Sequence, residues 1–480
     1  MNYEAVIGLE VHAQLLTNSK IFCGCPAMFG QSPNSATCPV CLGLPGALPV
    51  LNKSAVEFAL EMILAVGGNV GNKSVFARKN YFYPDLPKGY QISQYDKPIG
   101  IGGAIRFVDD GLPKSIELTR IHLEEDAGKS LHPENASQDY TRVDVNRCGT
   151  PLIEIVSEPA IRTAREAYLY LHSLKQTVEY LGICDGNMEE GSLRCDANVS
   201  IRPIGEKKLG TKTEVKNLNS IRGVERAINF EIQRQIAVVT SGGAIVQQTL
   251  LYNDSDGKCY PMRSKEESHD YRYFPDPDLV TLTVDDEWIA AIKESLPELP
   301  EKRRERFVAD YGLPLYDAEL LAGSRQLADY FEATTRESGD AKLASNWIMT
   351  EVLARLKDQE TVIGEFPITP ERLGELIKMI KSKTITGKIG KELFELMLAD
   401  RRSPGAIIAE KGLAPVTDSG DLEKLIAKII TDHPDEVARY REGKTKLFAF
   451  FVGQLMKATQ GKADPQTANT LLKAQLEQKE

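Results

Sequence analysis

No apolar run in this 480-residue sequence reaches the roughly 18 residues that a membrane-crossing helix needs. The opening MNYEAVIGLE lacks the basic start and the apolar core of a secretory signal. Positive charge is not in excess either, because 58 lysines and arginines face 68 aspartates and glutamates, a net charge of -10. These absences argue against membrane insertion, export, and nucleic-acid binding through overall charge. We therefore expect a cytoplasmic protein in which local basic patches meet any polyanion.

Cysteine is scarce, since 8 residues in so long a chain are too few for a disulfide scaffold. Four of them nevertheless lie close together, at Cys23, Cys25, Cys38 and Cys41. Thiolates at this spacing are typical of a closed tetrahedral zinc site, and the alternative is four free buried thiols. The isolated Cys148, Cys184, Cys195 and Cys259 are predicted to be core residues.

A phosphate-binding P-loop is also missing. The stretches ending in Ser130 and Thr445 lack the required first glycine, which is replaced by Leu123 and Ala438. The segment 78–91 could instead stack a base and pair with phosphates, through Arg78, Lys79, Tyr81 and Lys88. The alternative is an ordinary aromatic turn that packs on the core.

The length predicts about three domains, and 42% hydrophobic with 26% charged residues is ordinary for globular proteins. Short alternating runs with interspersed helices predict a β-rich first domain, residues 1–294, whose sheet is largely antiparallel. Helical spacing then predicts an all-α domain over 295–405 and a small helical tail over 406–480. The predicted fold class is α+β.

Three predicted strands carry an unusual polar face. Alternation along residues 3–15 places Glu10 and His12 on one side. The runs 192–202 and 211–218 likewise align Arg194 with Asp196, and Lys216 with Glu214. The simple alternative is the solvated face of an antiparallel sheet. Because Asp and Asn are poor strand formers, we interpret these strands as presenting a functional face.

Acidic residues are densest at Glu124, Glu125 and Asp126, at the end of an alternating run. A bulge or turn there could bring two carboxylates to one point, which would suit Mg²⁺, although a solvated acidic turn is the alternative. Glu154 interrupts an apolar strand and is a weaker candidate ligand.

Several long stretches resemble the GatB family, whose members belong to glutamyl-tRNA(Gln)/aspartyl-tRNA(Asn) amidotransferases. The similarity extends over the whole chain, including a tail that resembles YqeY-type domains, and leaves no room for the insertion found in the related GatE proteins. The stretches are Val6-Ile-Gly-Leu-Glu-Val-His12, Arg78-Lys-Asn-Tyr-Phe-Tyr-Pro84, His122-Leu-Glu-Glu-Asp-Ala-Gly-Lys129, Gly149-Thr-Pro-Leu-Ile-Glu154, Glu190-Gly-Ser-Leu-Arg-Cys-Asp-Ala-Asn198, Asp270-Tyr-Arg-Tyr-Phe-Pro275 and Val452-Gly-Gln-Leu-Met-Lys-Ala-Thr459.

The resemblance implies a cradle-shaped first domain, a helical domain and a tail that contacts tRNA. It implies an ATP-dependent carbon–nitrogen ligase with glutamine as the amido donor. The substrates would be misacylated Glu-tRNA(Gln), Asp-tRNA(Asn) or both, whose side-chain carboxylate is phosphorylated and then amidated with ammonia. A non-catalytic tRNA-binding adaptor is the alternative.

The same resemblance assigns roles to individual residues. It implies that Glu10, His12 and Glu125 are catalytic. Glu10, His12, Glu124 and Glu125 would hold Mg²⁺ or Mn²⁺, with Glu154 and Asp196 as further ligands. Candidate ATP contacts are Arg78, Lys79, Tyr81, Lys88, Arg194 and Lys216.

The chain has neither a Gly-Gly-Ser-Ser amidase stretch nor a Cys-His glutaminase constellation. The resemblance supplies the missing ammonia source, since it implies a heterotrimer with a GatA amidase subunit and a small GatC subunit.

Overall fold

The computed structural model describes residues 2–131, 140–262, 271–359, 361–413, 419–459, 463 and 465–477. Asp270 of the sixth stretch and four charged tail residues, Lys462, Asp464, Lys479 and Glu480, lie outside the described residues. The chain divides into two compact units, Met1–Pro300 and Glu301–Glu480. Division of the second unit into two domains stays a prediction.

Strands dominate the first unit. They are β1 (Tyr3–Gln14), β2 (Asn69–Val70), β3 (Lys73–Ser74), β4 (Ala77–Asn80), β5 (Tyr90–Ser93), β6 (Gly100–Ile101), β7 (Ala104–Asp109), β8 (Leu112–Glu125), β9 (Lys129–Leu131), β10 (Arg142–Asp144), β11 (Pro151–Ser157), β12 (Leu193–Pro203), β13 (Thr213–Leu218), β14 (Thr249–Asn253), β15 (Lys258–Pro261), β16 (Phe274–Pro275) and β17 (Leu282–Thr283). Its helices are α1 (Lys53–Ala65), α2 (Ala164–Leu181), α3 (Ile221–Thr240) and α4 (Asp286–Ser295).

A ten-stranded sheet forms the centre of this unit, in the order β15-β14-β13-β12-β1-β11-β8-β6-β2, with β7 paired to β8. Its described strand pairs are antiparallel except for β13 with β14. β1 lies between β11 and β12, so the run with the predicted polar face occupies the middle of the sheet.

One face of this sheet is apolar and buried. Leu9 and Val11 of β1 are 0% exposed and join a cluster with residues of α1, α2 and α3. Helix α2 shows why the chain turns here, because Thr163 caps its first turn and Gly182 ends it at φ 71°. The helices thus cover the apolar face and leave the polar face to form a site.

The second unit is helical throughout its described residues. Its α-helices are α5 (Pro300–Tyr311), α6 (Leu315–Leu321), α7 (Arg325–Ser338), α8 (Ala341–Trp347), α9 (Leu353–Asp358), α10 (Pro370–Lys381), α11 (Gly387–Ala399), α12 (Pro404–Lys411), α13 (Ser419–Asp432), α14 (Pro434–Arg441), α15 (Phe448–Ala458) and α16 (Pro465–Glu477), with a π-helical turn at Ile348–Val352 and 3₁₀ turns at Ile363–Glu365 and Thr445–Leu447. Thr369 caps α10 and Pro370 begins it, as the sequence predicts.

Apolar side chains of this unit form two clusters. One extends from Phe307 to Leu413 and the other from Leu422 to Leu476. A β-rich unit followed by a helical one confirms the predicted α+β class. Among the described helices, none combines the length and apolar character that crossing a membrane requires.

Candidate functional site

A polar cavity of about 470 Å³ opens on the polar face of the large sheet. Its wall draws on five neighbouring strands, because alternation sends every second side chain of each strand to this face. The contributing residues include Glu10, His12, Arg120, His122, Glu124, Glu154, Arg194, Asp196, Glu214 and Lys216. The three polar faces predicted from the sequence therefore belong to one surface.

Strand register places two histidines on either side of one carboxylate. His12 of β1 is the cross-strand partner of Glu154 on β11, and Glu154 is the partner of His122 on β8. Partners across a sheet have Cβ atoms about 5 Å apart, so these side chains meet directly. The Glu154 carboxylate lies 3.5 Å from His12 Nε2 and 3.2 Å from His122 Nε2.

Glu124 completes the cluster from the same strand as His122. Its Oε1 lies 3.4 Å from His12 Nε2, and its Oε2 lies 3.8 Å from His122 Nε2. Ligand atoms of His12, Glu124 and Glu154 all fall within 4.8 Å of one another. Adjacent ligands of an octahedral ion at 2.0–2.2 Å are about 3 Å apart, so a small inward shift would suit Mg²⁺ or Mn²⁺.

Charge in this cluster is strongly perturbed. Burial opposes the charged form of His122, but Glu154 and Glu124 outweigh it and raise the pKa of His122 to about 9. Burial likewise opposes ionisation of Glu154, yet the two histidines hold the pKa of that carboxyl well below its usual range. The cluster is therefore a buried set of mutually stabilised charges.

Glu10 and Asp196 lie on the same face but pair elsewhere. Asn198 donates to the Glu10 carboxylate at 2.9 Å, and Lys216 Nζ lies 2.7 Å from Asp196 Oδ2. Burial and the nearby Glu154 raise the pKa of Glu10. Both carboxylates line the cavity without joining the group formed by His12, Glu124 and Glu154.

Glu125 lies on the opposite face from Glu124. The pairing of β8 with β11 is regular at this point, with Glu124 opposite Leu152 and Glu125 opposite Pro151, so the expected bulge is not there. Glu125 forms an ion pair with Lys88 and accepts from the backbone N–H of Ile92 at 2.8 Å. Glu125 thus lies away from the cluster that the sequence assigned to it.

The predicted ATP contacts separate into two groups. Lys79, Tyr81, Arg194 and Lys216 line the cavity. Arg78 instead pairs with Asp276 at 2.7 Å and with Asp278 at 2.9 Å, and Lys88 pairs with Glu125. Lys79 Nζ lies 4.8 Å from the centre of the Tyr271 ring, and no carboxylate of the described residues is within ion-pair distance of it.

Four residues of this site were not assigned a role from the sequence. His122 shares the Glu124 face by simple alternation, which is the signal that could have identified it. Asp126 accepts from Gln14 at 2.9 Å and from Arg194 at 2.8 Å, and so fixes the Arg194 side chain. Tyr271 and Tyr273 come from far along the chain, and Tyr273 stacks on Tyr95 with ring centres 4.2 Å apart.

The four clustered cysteines also converge in the structure. Their sulfurs lie within 4.8 Å of one another, and Cys38 Sγ is 3.9 Å from Cys41 Sγ. Tetrahedral zinc with Zn–S bonds of about 2.3 Å separates its sulfurs by about 3.8 Å. The backbone N–H of Cys38 points at Cys41 Sγ at 3.2 Å. The set therefore fits a metal, while the other four cysteines are buried as predicted.

A family profile described as the GatB/GatE catalytic domain matches residues 5–290. A second profile, described as the GatB domain, matches residues 329–476. The chain belongs to the GatB family. The resemblance seen in the sequence is thereby confirmed over both units.

Relatives within the GatB family match nearly end to end, and each is named as the GatB-type component of an aspartyl/glutamyl-tRNA(Asn/Gln) amidotransferase. The protein of Syntrophotalea carbinolica is 54% identical, covering 99% of this chain and 98% of its own. The one from Chlorobium luteolum is 55% identical over 99% of this chain and 100% of its own. The Geotalea daltonii protein is 53% identical over the same shares.

Proposed function

We propose that this chain is the carboxylate-activating subunit of a tRNA-dependent amidotransferase. In this role it transfers the γ-phosphoryl group of ATP to the side-chain carboxylate of misacylated Glu-tRNA(Gln), Asp-tRNA(Asn) or both. Ammonia then displaces phosphate and leaves Gln-tRNA(Gln) or Asn-tRNA(Asn). The names and full-length similarity of the relatives support the reaction class.

Phosphorylation is what makes amide formation possible. A free carboxylate repels nucleophiles and would have to expel an oxide ion, whereas an acyl phosphate expels stabilised phosphate. The enzyme's task is thus to bring two anions together, a carboxylate and a triphosphate, and to neutralise the charge that moves between them. A site that does so needs cations on a surface that excludes bulk water.

The cavity offers such cations next to a metal-binding cluster, and this juxtaposition carries the proposal. His12, Glu124 and Glu154 would hold Mg²⁺ or Mn²⁺, which would bind phosphate oxygens and offset their charge. Glu10 and Asp196 lie nearby and could bind through water. Glu125 is left out of the ligand set because its carboxylate is paired with Lys88.

Protein cations would position the anionic substrates. Arg194 is held by Asp126, and Lys216 by Asp196, so each presents its charge from a fixed place. Lys79 has the most freedom to meet phosphate, since its ammonium rests on the Tyr271 ring rather than on a carboxylate. The tyrosines around it, Tyr81, Tyr271 and Tyr273, provide ring faces for a base.

We also propose the surrounding assembly. The sequence has no amidase stretch of its own, so ammonia would come from a GatA subunit that hydrolyses glutamine, with GatC joining the two. Residues 1–294 would hold the chemistry, 295–405 would form the helical domain and 406–480 would contact tRNA. Because aminoacyl-tRNA is used where proteins are made, we place the chain in the cytoplasm.

Amidation with an ammonium salt as nitrogen source tests the proposal without glutamine hydrolysis. The purified complex should convert labelled Glu-tRNA(Gln) or Asp-tRNA(Asn) to the amide when ATP, Mg²⁺ and ammonium chloride are present. Conversion should stop when ATP is replaced by a non-hydrolysable analogue. Binding of misacylated tRNA without any ATP-dependent conversion would favour the adaptor role instead.

A further inference from the structure

Lys20 is 1% exposed, which is rare for lysine because an ammonium loses its hydration on burial. The backbone on either side of it is firmly held. Its own N–H donates to Cys25 O at 2.9 Å, and the N–H of Ile21 donates to Gly149 O at 2.8 Å. Asn52 Nδ2 donates to the Lys20 carbonyl at 3.3 Å. The side chain is therefore directed inward by a fixed turn.

The ammonium has two polar contacts. Lys20 Nζ donates to the Ala36 carbonyl at 2.7 Å and to Cys41 Sγ at 3.6 Å. Within the part of the chain that the structure describes, no carboxylate oxygen lies within ion-pair distance of it. A buried cation without a carboxylate needs another source of negative charge, and the nearest is sulfur.

Cys41 is also the buried member of the four-cysteine cluster. A hydrogen bond from Cys23 and the nearby Lys20 ammonium both lower the pKa of the Cys41 thiol. Four thiolates around one Zn²⁺ carry a formal charge of about −2, which is itself costly to bury. The cation and the metal–thiolate centre each lack what the other provides.

We propose that Lys20 is the built-in counter-cation of the four-cysteine metal site, donating an N–H···S hydrogen bond to Cys41 and lowering the formal charge of the loaded centre by one. Partners outside the ligand shell of this kind typically change metal affinity by about 10–100-fold. Withdrawal of electron density from Cys41 sulfur also makes that thiolate a weaker donor and a weaker nucleophile. Lys20 should therefore slow both metal loss and attack on the thiolate.

Lys20→Met, which keeps the length and removes the charge, tests this in the full-length chain. Zinc should pass to an excess of chelator on the order of ten times faster than in the unaltered chain. In cobalt-substituted protein, the sulfur-to-cobalt charge-transfer band should move to longer wavelength, because the unscreened thiolate donates more readily. A role in packing alone would not move that band.

Asn52→Ala is the matched control, because it loosens the same turn and leaves the ammonium in place. It should lower stability while the cobalt band keeps its position. Lys20→Arg should restore the band, since it returns a cation. Lys20→Gln serves as a second neutral variant in case Lys20→Met folds poorly, with the same expected shift.

The proposal is overturned if either neutral variant keeps the unaltered band position and zinc-release rate. It is also overturned if Asn52→Ala shifts the band as far as Lys20→Met does. Failure of the unaltered chain to bind any zinc or cobalt would overturn the metal site itself, and that result is distinct from an unchanged Lys20 variant. None of these outcomes bears on the carboxylate-activating cavity.

Discussion

Glu154 is the residue that the metal cluster depends on most, because its carboxylate contacts both His12 and His122. It is buried, and its negative charge is retained by the two imidazoles that flank it. A neutral amide in its place would remove a ligand and leave two buried histidines facing one carboxylate, Glu124.

Glu154→Gln should therefore lower the affinity for Mn²⁺ by at least about tenfold, as measured by titration with Mn²⁺ followed by electron paramagnetic resonance. Glu158→Gln is the matched control, because Glu158 follows the same strand and pairs with Thr119 instead of the cluster. Equal Mn²⁺ affinities for the two variants would rule Glu154 out as a ligand.

His122 should make the stability of the metal-free first unit depend on pH. Its pKa is about 9 in the folded chain and about 6.5 in an unfolded chain. Its contribution is fully present below pH 6.5 and is lost as pH rises through about 9, because the unfolded chain releases its proton first. The difference in urea midpoint between the unaltered chain and His122→Gln, measured without added divalent ions, should shrink from pH 6 to pH 10. A difference that stays constant or grows with pH would contradict this.

Lys79 should act on phosphate rather than on stability. Lys79→Met removes a cation that the described carboxylates do not neutralise, so ATP-dependent amidation should fall about 100-fold or more. Its melting temperature should stay near that of Lys97→Met, an exposed control that should keep full activity. Normal amidation by Lys79→Met would remove Lys79 from the phosphate-binding set.

At the scale of elements, strand alternation accounts for what the sequence could and could not predict. Period two along one strand correctly assigns the apolar face of β1, and by the same rule it aligns His122 with Glu124 and separates Glu125 from them. The expected convergence of Glu124 and Glu125 needed a bulge that β8 lacks there. Which strands become neighbours is decided by long-range packing, so the meeting of His12, Glu154 and His122 could not be read from one strand.

The segment with the four cysteines is an element held by its own ligands. It has little regular secondary structure between Cys23 and Cys41, so a metal would supply much of its order. Cys38→Ser should reduce bound zinc from about one ion per chain to substoichiometric levels, as measured by elemental analysis, and should lower the melting temperature. Metal-bound Mn²⁺ in the cavity should be unaffected. Absence of zinc from the unaltered chain, purified under reducing conditions without chelator, would refute the site.

At the scale of the whole molecule, charge is divided unevenly along the chain. Residues 441–480 carry seven basic and four acidic side chains, a net +3 in a chain whose total is -10. A cluster of buried residues from Leu422 to Leu476 gives this end a core of its own, separate from the cluster that ends at Leu413. A self-contained basic module is what a tRNA-contacting tail requires.

Removal of residues 414–480 keeps the cluster that ends at Leu413 complete. The truncated complex should show a KM for misacylated tRNA raised about tenfold or more and a flatter salt dependence, with glutamine hydrolysis by the GatA partner nearly unchanged. Tight tRNA binding by the truncated complex at physiological salt would assign the tail another role.

Formation of ADP by the whole complex is the most direct measurement of carboxylate activation in the cavity. With glutamine and ammonia absent, the unaltered complex should release ADP when misacylated Glu-tRNA(Gln) or Asp-tRNA(Asn) is added, and should release almost none with uncharged tRNA. Glu154→Gln should lose this release while glutamine hydrolysis by the partner continues. ADP release that ignores the aminoacyl group, or that survives Glu154→Gln undiminished, would contradict the assignment of the cavity as the site of phosphoryl transfer.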